Sequence, residues 1–250
     1  MKKNLLLGLL AGVAALFSLA VSAEPAADYA REKKWADEVV PGLVVGDPVY
    51  LQAPRGHRKF LALFTPVADT GKAAVVVHGM GIHPDWGMVG TLRTELADRG
   101  FATLSIQMPV LAADANSEAY PPTFPEAAER IAGAVEFLKA KGYTQLAIVS
   151  HSMGSRMSRG YLAGKPDPAV KSWASLGISV DDYAALKLPI LDLYGDNDLP
   201  AVLANAGKRK QSLAAAASRQ TMIAHADHFF TGHEADMVAA VADFLAATLK

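Results

Sequence analysis

From residue 73 onward, short apolar runs alternate with longer amphipathic segments, and this rhythm limits the chain to very few folds. The runs cover 74–77, 102–106, 146–149, 173–178, 190–194 and 221–224. A run that is apolar on both faces suits a central strand of a parallel sheet, which helices must cover on either side. The stretches 87–99, 125–141, 152–163, 199–217 and 234–249 supply those helices. In the second of them Ile131, Val135 and Leu138 recur at spacings of four and three and form one buried stripe. Ahead of the alternation, 49–52 and 60–65 read as an antiparallel hairpin turning at Arg55-Gly56-His57-Arg58. No internal repeat or low-complexity linker divides the chain. The expectation is a single α/β domain over 48–250, a mostly parallel twisted sheet with helices on both faces and an antiparallel N-terminal hairpin.

A chain of 250 residues, 51% hydrophobic, can bury a core without covalent staples. It contains no Cys, which excludes a disulfide scaffold, a thiol nucleophile and any Cys-ligated zinc or iron–sulfur site. A net charge of −1 argues against nucleic acid as a partner. Residues 1–23 begin Met1-Lys2-Lys3, run apolar from Leu5 to Val21 and end Val21-Ser22-Ala23 before Pro25. A basic start, an apolar stretch and small residues at −3 and −1 describe a signal peptide cut after Ala23. A membrane anchor is the competing reading, because the stretch is near the lower limit for spanning a bilayer. With cleavage the mature protein is expected to be periplasmic or secreted, with no stable membrane anchor. Residues 24–47 then form a polar lead-in.

The stretch from Leu146 through Ser150-His151-Ser152-Met153-Gly154 carries the most chemistry. A buried strand runs into small residues and a helix starts at once, the strand–turn–helix context of the G-x-S-x-G nucleophile elbow. The central Ser152 would sit on a strained turn that lifts its hydroxyl above the sheet, with small neighbours where chains pass closely. Ser150 stands where the pattern has its first Gly. The competing reading is that Ser150 or Ser152 only caps the helix.

An activated serine needs a base, and the base needs an orienting acid. Gly195-Asp196-Asn197-Asp198 follows one strand and offers two carboxylates. Asp198 is preferred, since the turn points the third residue after Gly195 back across the sheet end, and Asp196 stays open. His228, in the loop after the last strand, is preferred over His225 because Phe229 and Phe230 can anchor that loop. Ser152, Asp198 and His228 each follow a different strand, so all three can meet at one sheet edge.

The oxyanion of acyl transfer needs N–H donors. His78-Gly79-Met80-Gly81 ends the first parallel strand, and the backbone N–H groups of Met80 and Met153 are the expected pair. A phosphate-binding loop is the alternative, but neither G-x-G-x-x-G nor G-x-x-x-x-G-K-[ST] is present, so no nucleotide is expected. His83-Pro84-Asp85-Trp86 holds two metal-ligand residue types without a third nearby. It reads instead as a loop packed under the oxyanion segment, or as pocket lining by His83 and Trp86, with His151 also near the pocket. The proline-rich segment 109–125 is either a pocket wall or an ordered surface excursion.

With these pieces in order, the chain resembles the α/β-hydrolase superfamily over roughly 60–249. The matching residues are His78-Gly79-Met80-Gly81, Ser150-His151-Ser152-Met153-Gly154, Gly195-Asp196-Asn197-Asp198 and Asp227-His228-Phe229-Phe230. The stretches 78–86 and 104–109 look like an uncharacterised exported bacterial branch, nearest in size to dienelactone-hydrolase-like and esterase-like members. The resemblance implies Ser–His–Asp hydrolysis of a small-molecule ester or related acyl substrate, without cofactor or metal. Acyl transfer to another acceptor, and a non-catalytic binding or assembly protein on the same fold, are the alternatives, because function is set by the site and not the fold.

Overall fold

The computed structural model describes residues 27–52 and 58–250, so the leader and the centre of the hairpin turn at 55–57 lie outside the described residues. Among the described residues eight strands form one sheet: β1 (Asp47–Gln52), β2 (Lys59–Thr65), β3 (Lys72–Val77), β4 (Ala102–Ile106), β5 (Gln145–His151), β6 (Val170–Leu176), β7 (Ile190–Asn197) and β8 (Arg219–Asp227). Their order is β1-β2-β4-β3-β5-β6-β7-β8. β2 pairs antiparallel with both β1 and β4, and every pair from β4 to β8 is parallel.

The apolar runs form strands because both of their faces are covered. Alternate residues of β3 divide between two cores: Ala73, Val75 and Val77 face one, Ala74 and Val76 the other. Ile131 and Leu138 of α3 (Phe124–Ala140) and Met157 of α4 (Met153–Ala163) close the first core. Leu92 of α2 (Gly87–Asp98) and Val241 of α7 (Glu234–Thr248) close the second. The expected doubly wound α/β architecture with its antiparallel opening hairpin is what the chain adopts.

Three local expectations change. The run at 173–178 stops as a strand at Leu176, and Gly177 turns with φ +58°. The single helix expected over 199–217 is two short ones, α5 (Pro200–Ala204) and α6 (Ala206–Ser212). Asn205 separates them at φ −105°, ψ 1°, in keeping with its tendency to leave helical geometry.

The lead-in also contains a helix that its polar character conceals, α1 (Tyr29–Val39). Asp28 caps it by accepting from Arg31 N at 3.0 Å. Buried Arg130 of α3 grips buried Glu32 through two bonds of 2.9 and 3.1 Å and Glu126 Oε1 through two of 3.1 and 2.5 Å. The proline-rich segment supplies the rest of the dock: Val110 O accepts from Asp28 N at 2.6 Å, and Leu111 O from Arg31 at 2.8 Å. Its Val110, Leu111 and Tyr120 are buried, so the segment packs as an ordered excursion that seats α1. A cavity of about 440 Å³ between α1 and the hairpin is lined by residues such as Tyr29, Tyr50 and Phe60, and by none of Ser152, Asp198 and His228.

Candidate active site

β5 delivers Ser152 to a turn at φ 54°, ψ −120°, and α4 starts at the next residue. A non-glycine residue there is strained and is held by its surroundings. Those surroundings are backbone. Ser152 N donates to Leu176 O at 2.8 Å. A Cβ on Gly154 would lie 2.3 Å from His78 O and 2.8 Å from Val77 O, so only glycine lets α4 begin against the end of β3. Ser150, in the place of the pattern's first Gly, is not at positive φ. Its side chain is therefore tolerated, and its Oγ accepts from the indole Nε1 of buried Trp173 at 2.7 Å.

Asp198 follows β7, and His228 follows β8. His228 Nδ1 donates to Asp198 Oδ1 at 2.5 Å, and Ser152 Oγ donates to His228 Nε2 at 2.9 Å. Asp198 Oδ1 also accepts from Leu199 N at 2.6 Å, and Asp198 N closes the turn on Gly195 O at 3.2 Å. Asp196 stays within β7 and His225 is exposed within β8, so neither of those alternatives joins the cluster. The His228 loop is anchored as its aromatic pair suggests. Phe230 is fully buried at φ 56°, and Phe229 packs edge-on against the His228 ring at 5.3 Å and tilted against Trp86 at 5.0 Å between centres. Asp227 Oδ1 accepts from Phe229 N and Thr231 N, each at 2.9 Å. Burial pushes the Asp227 carboxyl up, but the bonds from Thr231 and Phe229 outweigh it and hold the group below the usual carboxylate range.

Sequence reasoning passed over Gly177. A Cβ there would lie 3.0 Å from both Cε1 and Nδ1 of His228 and 3.3 Å from Asp198 Oδ2. The glycine at the end of β6 thus leaves the space in which the imidazole and carboxylate meet. Its signal in the sequence is a Gly just before the end of the apolar run 173–178.

The turn after β3 passes beside the serine. A Cβ on Gly79 would be 3.1 Å from Ser152 Cβ and 3.0 Å from His151 Nδ1. Met80 is the next residue of that turn, and Met153 opens α4, where the first N–H groups have no acceptor within the helix. His78 ties the turn down. Its Nδ1 donates to Gly79 O at 2.8 Å, and its Nε2 accepts from Met108 N at 2.9 Å. Burial pushes its pKa down to about 3, so it stays neutral. His151 is likewise buried, and burial followed by the nearby His228 takes it to about 3. Its Nε2 donates to His228 O at 2.9 Å.

His83 is half-buried beside Trp35 at 5.9 Å between ring centres, with its pKa lowered by burial. Asp85 pairs with Arg93 at 2.6 Å. Among the described residues no group of three or more His, Cys, Asp or Glu is arranged to hold a metal ion. Trp86 packs against Phe229, with ring centres 5.0 Å apart.

Residues 49–129, less than half of the chain, match a family described as a protein of unknown function (DUF3530). No curated protein matches the sequence. Solved structures match over most of the chain. Dienelactone hydrolase from Anabaena variabilis is 19% identical, covering 82% of this chain and 99% of its own, with a TM-score of 0.67. A serine hydrolase without a lid from Xanthomonas campestris is 17% identical over 83% of this chain and 96% of its own, TM-score 0.62. Est1E from Butyrivibrio proteoclasticus is 16% identical over 80% and 98%, TM-score 0.59. Sheet order, strained serine turn and these likenesses agree, and the protein has the α/β-hydrolase fold.

Proposed function

We propose that the protein is a serine hydrolase that cleaves a carboxylic ester or related acyl bond. The observation that carries this reading is the continuous chain from Ser152 Oγ through His228 to Asp198, at 2.9 and 2.5 Å, on a fold whose similar structures include a dienelactone hydrolase and a serine hydrolase. Ser152 Oγ attacks the substrate carbonyl while His228 Nε2 takes its proton. Asp198 holds Nδ1–H and offsets the charge of the imidazolium. The amides of Met80 and Met153 stabilise the tetrahedral oxyanion. His228 returns the proton to the leaving alcohol, and water, activated by the same imidazole, then releases the acyl group from Ser152. Residues 1–23 fit an export leader, and with it the enzyme works on small esters in the periplasm or outside the cell.

Treatment of the purified protein with a fluorophosphonate, followed by peptide mass mapping, tests the assignment. The expected result is one adduct on Ser152, absent in Ser152→Ala and His228→Ala. A folded wild-type protein that takes up no label would favour the non-catalytic alternative. Product that forms only when an alcohol or amine acceptor is added would favour acyl transfer. N-terminal sequencing of exported protein is expected to begin at Glu24.

A further inference from the structure

His228 reaches Ser152 from a long way off. β8 lies three places from β5 in the sheet, about 14 Å at roughly 4.8 Å per strand. The loop that leaves β8 must therefore return over β7 and β6 and stop with its imidazole in register with the serine hydroxyl. Asp227 and buried Phe230 hold that loop from its own side. One side chain holds it from the β5 side. His151 is the last residue of β5, next to Ser152, and its Nε2 donates to the backbone oxygen of His228 at 2.9 Å across 77 residues of chain.

We propose that His151 is a positioning residue of this site, its Nε2–H fixing the backbone of His228 and thereby setting the imidazole against Ser152 Oγ. The kinetic half of the inference rests on the hydrolase reading, and the geometric half does not. The His151 ring is wedged between the turn at Gly79 and the His228 ring, whose centre is 4.7 Å away. Its other nitrogen, Nδ1, is buried with no hydrogen-bond partner among the described residues. A residue present only to fill this space would be better apolar, because a buried nitrogen without a partner costs free energy. What the imidazole supplies and an apolar ring does not is the single donor aimed at His228 O. Held neutral by burial, it supplies that donor without placing a second positive charge beside His228.

Two substitutions in the full chain separate donor from shape. His151→Gln keeps an N–H donor at similar reach and loses the ring; His151→Phe keeps a ring and loses the donor. The rate of Ser152 labelling by diisopropyl fluorophosphate is expected to stay within about threefold of wild type for His151→Gln. For His151→Phe it is expected to fall by about ten- to a hundredfold, the scale of a misplaced catalytic group. The Nδ1–H proton resonance of His228, read by NMR with labelled histidine, is expected to persist in His151→Gln and to broaden or shift in His151→Phe. If His151→Phe does not fold, His151→Leu, smaller and equally without a donor, replaces it. A Phe or Leu variant that equals or exceeds Gln in both readouts overturns the proposal. Wild-type protein that resists labelling sinks the hydrolase reading instead, and the histidine resonances then decide on positioning alone.

Discussion

The two halves of the candidate site are built differently. On the elbow side, β3 and β5 run in unbroken parallel register from Lys72↔Gln145 to Val77↔Ser150, and main-chain atoms crowd the start of α4. On the loop side, the β7–β8 register shifts between Gly195 and Asn197, and Asp198 and His228 beyond it are held by side-chain hydrogen bonds. Backbone sterics place Ser152, whereas Asp198 and His228 add side-chain hydrogen bonds to a backbone that is just as close, a Cβ on Gly195 lying 2.0 Å from Ala226 O. The difference teaches where damage should appear. A change at the elbow disturbs folding and chemistry together, whereas a change in the loops disturbs chemistry first.

The largest effect expected is on the loop side. Asp198→Asn keeps the shape but leaves His228 without its orienting carboxylate, and Ser152 labelling should slow by about 10³–10⁴-fold with an almost unchanged urea midpoint. A matching loss of stability would erase the contrast between the halves. Next comes Gly154→Ala at the elbow, where the new methyl must displace the carbonyls of Val77 and His78. Overpacking against backbone should cost about 3 kcal/mol or more, seen as a lower urea midpoint with labelling lost in parallel.

Acid tests both halves at once through His78 and His151, each with a folded pKa of about 3 against an ordinary 6.5. Between these values the unfolded chain binds protons that the folded chain cannot, so stability falls as pH drops from 6.5 towards 3. The slope approaches about 1.4 kcal/mol per pH unit for each imidazole, and neither contributes a slope above pH 7. Denaturant titrations at pH 7, 6, 5 and 4 would show it, and equal midpoints across the series would contradict it. His78→Gln should flatten the slope. The smallest effect belongs to Asp227→Ala, which frees the amides of Phe229 and Thr231. About 1 kcal/mol of stability and a several-fold slower labelling rate are expected, measured on the same samples.

Legibility in the sequence followed the range of the interaction that matters. The central strands were readable because a parallel strand covered on both faces leaves an uninterrupted apolar run. Their ends were read short where polar residues such as Gln145 and Arg219 continue the ladder. The meeting of Ser152, Asp198 and His228 was readable because each follows its own strand, and the register does the rest. Helix α1 was hidden because its main anchor, Arg130, lies 98 residues beyond Glu32. Gly177 was hidden because what forbids a side chain there is the ring of His228, and the bond of His151 was hidden because its partner is a carbonyl 77 residues away. Local pattern exposes elements and motifs; it is silent where a residue answers to a distant neighbour.

The bond between Trp173 and Ser150 gives the molecule a built-in optical probe. Of the three tryptophans, Trp173 alone is fully enclosed, and its indole N–H is tied two residues ahead of Ser152. With Trp35 and Trp86 replaced by Phe, blue-shifted emission would report on the integrity of the serine turn. A shift to the red as the protein is denatured would time the opening of that bend directly, with no dye attached.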